Sequence, residues 1–186
     1  MILPIVAYGD PVLKRKTVPV SSEHPDIGKL IADMYETMYK ASGVGLAAPQ
    51  IGLSLRLFVA DASAFDEPEA AGFRQVFINP EITDRSGDHT SFNEGCLSIP
   101  NVREEVKRPD IISIRFYDEN FDHHEKQYHG IVARIIQHEY DHLEGKLITD
   151  YMSPLKRQIM KKKLTDISRG IVDVDYRMRF PLRKNQ

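Results

Sequence analysis

The segment HGIVARIIQHEYDHLEG, residues 129–145, constrains the fold more than any other stretch of the chain. Ile131, Ile135, His138 and His142 recur at +4, +3 and +4 and so share one stripe of an α-helix, with Val132, Ile136, Glu139 and Leu143 on the adjacent stripe. Apolar residues on two stripes need cover on both, so this helix is expected in the middle of the domain, and Gly145 is placed to end it. Burying polar side chains there is costly unless they find partners. A helix turns once per ~3.6 residues, so the rings of two histidines four apart project to nearly one point and can ligate one cation. Glu139 is turned aside by ~100°, close to that cation without binding it, where a base for an activated water belongs.

Catalytic sites of this kind use three protein ligands. Past Glu144 the chain has no His, Glu or Cys, and only Asp150, Asp166, Asp173 and Asp175 as ligand candidates, so the third ligand is expected upstream. The candidates there are His89, Glu94, Cys96, His123, His124 and His129. Thiolate chemistry favours Cys96, the sole cysteine, which stands in NEGCLSIP between Gly95, open to close backbone approach, and Pro100, which ends the extended run. His123 and His124 fall in DENFDHHEKQ, read as a charged, solvent-exposed turn. A further segment, GVGLAAPQIG (43–52), concentrates small residues where another backbone or a substrate can come close. No Lys-Ser/Thr follows, so it is not a phosphate loop. Gln50 there is either a neutral amide donor suited to a transient oxyanion, or an exposed side chain on a tight turn.

The remaining chain supplies the frame. Its 186 residues fit one domain, 1–186, and 41% hydrophobic against 28% charged residues with no long apolar run indicates a soluble globular protein. The opening MILPIVAYGDPVLKRK has neither a signal-peptide nor a transit-peptide pattern, so the cytoplasm is the expected location. Helical spacing marks 25–43, and Ser153-Pro154 opens another helix over 153–164. Strands are expected at 55–61, 75–82 and 111–119, with a polar loop at 62–72. Strands dominate the first two thirds with helices at each end of them, which is an α+β pattern and not alternating βαβ. Residues 156–186 carry ten Lys/Arg against three Asp, a basic tail that is either a solvated helix face or a contact for an anionic partner such as RNA.

Taken together, GVGLAAPQ, EGCLS and QHEYDH closely resemble, in content, order and spacing, the three signature motifs of peptide deformylases. The resemblance implies antiparallel β-sheets packed around a central helix that carries HExxH. It implies one divalent metal held by Cys96, His138 and His142, Fe(II) in the cell, with Zn(II), Ni(II) or Co(II) able to replace it. It implies removal of the N-formyl group from the N-terminal methionine of new proteins, in a bacterial cytoplasm. Glu139 would handle the proton, while Gln50 and the backbone N–H of Leu97 would hold the oxyanion. Val44, Gly45 and Gly95 would meet the peptide backbone, and Arg103 would approach it. Val44, Phe92, Ile131, Ile135 and the His138 ring would line a pocket for methionine. Glu94 is placed to pair with Arg108, and Arg134 to line the pocket with its stem while its head reaches solvent. A basic C-terminal helix of the family can dock near the ribosomal exit, which here points to residues 154–164. No membrane or DNA partner is expected. Two other classes compete: an HExxH endopeptidase, which the missing downstream ligand disfavours, and a binding module that lost its reaction, which the intact motif residues disfavour.

Overall fold

The computed structural model of the protein describes residues 1–182. In chain order it has strand β1 (Ile5–Val6), helix α1 (Ile27–Lys40), and strands β2 (Gly45–Ala47), β3 (Leu57–Asp61), β4 (Arg74–Gly95), β5 (Arg103–Tyr117) and β6 (His123–His129). Helices α2 (Gly130–Leu143) and α3 (Pro154–Ser168) and strand β7 (Met178–Arg179) follow. Strands β2 to β6 pair antiparallel in sequence order, while β1 and β7 pair in parallel away from that sheet. The fold is mixed helix and antiparallel sheet, as the order of elements in the sequence implies.

Side chains alternate across the strands, and each face has its own helix. Phe58, Ala60 and Phe77 pack with Ile112, Ile114 and Phe116 against Ile131, Val132, Ile135 and Ile136 of α2. Leu57, Val59, Val76 and Ile78 pack against Ile31, Met34 and Met38 of α1. Each large side chain so buried contributes on the order of 1.5–3 kcal/mol. A slip of one residue would move all of them to the wrong face, which fixes the register of β3 on β4. A third cluster, with Val6, Leu13, Ile99, Leu164 and Ile167, ties the N-terminal segment and α3 to the chain just after β4.

The ends of α2 and α3 follow from single residues. Gly145 takes φ +72° past α2, so that its N–H meets His142 O and the N–H of Lys146 meets Asp141 O. A Cβ at Gly145 would come within 2.6 Å of Lys14 O, so the stop also lets another backbone pass. The Ser153 Oγ accepts from Lys156 N at 3.2 Å and Pro154 takes the first position, which opens α3 as the sequence predicts.

Several strand bounds differ from the sequence reading. β4 runs to Gly95 rather than stopping at 82 because its backbone pairing with β5 continues through register shifts. Residues 83–93 are polar or exposed on both faces, so no period-two signal marks them. β5 begins at Arg103, well before 111: Glu104, Val106 and Arg108 are buried in alternation, but two of the three are charged, so the buried face does not read as apolar in sequence. The stretch read as a charged turn divides: 118–122 turns, but 123–129 is the edge strand β6, whose polar HHEKQYH carries no apolar alternation. His124 is only partly exposed, bonded to Asp118 Oδ2 at 2.7 Å and stacked on Phe116. Arg183 and Lys184 of the basic tail lie outside the described residues.

Candidate metal centre

The last turns of α2 present His138 and His142 on one side, their ring centroids 5.2 Å apart. Cys96 follows directly on β4 and opens a turn closed by Ile99 N to Cys96 O, so the thiol leaves an ordinary strand direction and points to the helix. One donor atom from each of Cys96, His138 and His142 lies within 4.8 Å of the others, and Cys96 Sγ stands 3.4 Å from His142 Nε2. The other upstream candidates, His89, Glu94, His123, His124 and His129, are not part of this group.

Glu94 sets the orientation of His138. Its Oε2 lies 2.9 Å from His138 Nδ1, which leaves Nε2 to face the group. The same carboxylate accepts from Arg108 Nε and Nη2 at 2.7 and 3.0 Å and from Arg134 Nη1 at 2.9 Å. Arg108 in turn donates to Asp141 Oδ2, which Tyr151 Oη also reaches. Burial works to raise the Glu94 pKa, but the bonds from His138 and Arg108 and their charge outweigh it and bring it to about 2. The expected Glu94–Arg108 pair is present. The expectation for Arg134 is corrected: its guanidinium does not reach solvent but is buried, donating to Glu94, Val106 O and Thr90 O. A carboxylate and two carbonyls within reach hold an arginine head more strongly than water does across a short gap.

Glu139, beside this group, is buried and its Oε2 has no partner among the described residues. Burial raises its pKa to about 7. His142 is held below the usual histidine range by burial, which keeps it in the neutral form that ligates metals. For His138, burial opposes the charge, yet bonds to Cys96 and Glu94 hold its pKa above that range.

Gln50 is buried on a short 3-10 turn, Ala48–Ile51. Ala47 N donates to its Oε1 at 2.8 Å, and a backbone N–H requires an oxygen there. The amide orientation is thereby fixed and Nε2 points to Cys96 Sγ (3.6 Å) and Ser98 Oγ (3.4 Å). Gly45 lies against Glu139, since a Cβ at that position would stand 2.6 Å from Glu139 Cδ. Gly45→Ala is therefore expected to displace the carboxylate and lower turnover by about tenfold or more while metal content stays unchanged, read by steady-state kinetics and elemental analysis.

A cavity of about 1050 Å³ brings these groups together. Val44, Gly45, Gln50, Phe92, Gly95, Cys96, Leu97 and Arg103 line it from the strand side, and Ile131, Ile135, His138 and Glu139 from α2. His142 sits beneath, almost fully buried. Sequence reasoning missed a further wall, Asp173 to Tyr176, and the bond from Tyr176 Oη to Leu97 O at 2.8 Å. The tail does alternate as a strand would, with Val172, Val174, Tyr176, Met178 and Phe180 set against Asp173, Asp175, Arg177 and Arg179, but nothing in that pattern points to a site.

A model of the polypeptide deformylase family matches residues 2–158. The chain belongs to the polypeptide deformylase family. It is 50% identical to a peptide deformylase of Christiangramia forsetii, over 99% of this chain and 98% of that one. It is likewise 50% identical to one of Cytophaga hutchinsonii, over 99% and 100%. The crystal structure of a peptide deformylase from Legionella pneumophila superposes with a TM-score of 0.81 at 38% identity, covering 92% of this chain and 98% of that one. In this deformylase family member, no helix among the described residues is long and apolar enough to cross a membrane.

Proposed function

We propose that the chain, as one catalytic unit over residues 1–186, removes the N-formyl group from the terminal formyl-methionine of newly made proteins and releases formate. One observation carries the reading in a chain of this family: a sulfur and two imidazole donors within 4.8 Å of one another, beside a buried carboxylate oxygen without a partner among the described residues.

The donor set fits a divalent metal. A thiolate with two neutral imidazoles suits Zn(II), Fe(II), Ni(II) or Co(II), and three protein donors leave a position open for chemistry. Cys96 Sγ and the free ring nitrogens of His138 and His142 would hold the ion, Fe(II) in the cell. When bound, it supplies Lewis-acid polarisation to water and to the formyl carbonyl.

The chain's own groups do the rest. Glu139 takes a proton from the attacking water and delivers one to the departing amine, so that water adds to the formyl carbon, the C–N bond breaks, and formate and a free α-amine leave. Burial has lifted Glu139 to about 7, close to the pH at which it must both accept and give a proton. Gln50 Nε2 and the Leu97 N–H donate to the oxygen that gains charge. The backbone of Val44, Gly45 and Gly95 would pair with the peptide as an added strand, with Arg103 near it. The methionine side chain would enter between Phe92, Ile131 and Ile135. The work belongs in a bacterial cytoplasm on nascent chains, and the basic face of α3 offers a contact to the ribosome.

Purified metal-loaded protein is expected to release formate from a formyl-Met-Ala-Ser peptide and to leave its internal bonds whole. Cleavage of an internal bond would instead make it an endopeptidase. Cys96→Ala is expected to lower metal affinity by at least about a hundredfold, measured by competition with a chelator. Full occupancy in that variant would put the third ligand elsewhere.

A further inference from the structure

Residues beyond 158, where the family match ends, return to the site. The strap 173–179 is held along its length. Asn101 Nδ2 donates to Asp173 O at 3.1 Å, and Tyr176 Oη to Leu97 O at 2.8 Å. Ile5 N and Ala7 N donate to Arg177 O and Arg179 O at 2.8 and 2.9 Å, where β1 and β7 pair. This fixed backbone puts Asp173 and Asp175 on the wall of the same cavity that Cys96 and Glu139 line, with both aspartates exposed.

The charge facing solvent in that cavity is accordingly unequal. Arg134 and His138 each bond Glu94 in the interior, and Glu139 is buried. Among the exposed lining residues Arg103 is the cation, and its Nη1 is tied to Asn93 O at 2.7 Å. Two exposed carboxylates therefore share the cavity lining with one engaged guanidinium, and the neighbouring Lys163 is likewise engaged, its Nζ donating to Asn101 O.

We infer that Asp173 and Asp175 select among substrates, favouring lysine or arginine over glutamate or aspartate in the residues that follow formyl-methionine. The inference rests on the deformylase reading. Charges at the rim act through a few ångströms of water, so the effect is modest and screened by salt.

The test compares formyl-Met-Lys-Lys, formyl-Met-Ala-Ala and formyl-Met-Glu-Glu peptides with the full-length, metal-loaded protein. At low salt kcat/KM is expected to be about three- to tenfold higher for the lysine peptide than for the glutamate peptide, carried by KM, and to converge near 1 M salt. Asp173→Lys combined with Asp175→Lys is expected to invert the order, with circular dichroism confirming the fold. A wild-type ratio within twofold of one at low salt, or a ratio unmoved by the double reversal, overturns the inference. Failure of the wild-type protein on the alanine peptide is a different result: it refutes the deformylase reading and takes the charge preference with it.

Discussion

Replacing Glu139 by glutamine is expected to lower kcat by about 10²–10⁴-fold while metal content and melting temperature stay near those of the parent protein. The shape is kept, and under the proposed role only the capacity to take and return a proton is lost. Among the described residues Glu139 makes no hydrogen bond through Oε2, and burial already disfavours its charged form, so an uncharged amide removes no stabilising partner there. Kinetics, elemental analysis and calorimetry on one preparation separate the outcomes. Turnover within a few-fold of the parent removes Glu139 from the reaction. A large fall in melting temperature would instead make the residue structural.

Glu94→Ala is expected to cost about 3–5 kcal/mol of stability, measured by urea unfolding of the metal-free protein. The side chains of Glu94, Arg108 and Arg134 are 3%, 5% and 7% exposed, so removing the shared carboxylate strands two guanidiniums in the interior. Asp141 and Tyr151 still reach Arg108, but Arg134 keeps only neutral oxygens. The same change frees the His138 ring, so metal affinity is expected to fall roughly 10–100-fold. A loss under 1 kcal/mol would show that the network is not electrostatically closed through Glu94.

What could be read from sequence divides along a physical line. The stripes of α1 and α2 were legible because apolar residues recur at helical spacing on faces that do become buried, such as Ile31, Met34 and Met38. The pairing of His138 with His142 is a property of helix geometry alone. Choosing Cys96 needed only ligand chemistry, together with the lack of His, Glu or Cys downstream. By contrast, β6 and the outer half of β4 are held by backbone bonds and bury little, so their side chains carry no pattern. The Arg134 head and the choice between an exposed and a buried Gln50 depended on what lies across from them. Glu94 is 40 residues from Arg134, and the Ala47 N–H that aligns Gln50 is set by a local turn without a strong signature. The wall at 173–176 depends on a chain reversal after α3 that no motif announces.

The pairing of β1 with β7 has a consequence for biosynthesis. Ile5 and Val6 find their partners in Met178 and Arg179, which follow the whole of the five-stranded sheet and helices α1, α2 and α3 in the chain. During translation the sheet from β2 to β6 and both of its covering helices can assemble from residues already made, whereas the clasp must wait until Met178 and Arg179 have been added. Truncation shortly after α3 would then leave an N-terminal segment without its strand partner and a groove open on one side, while Cys96, His138 and His142 stay in place.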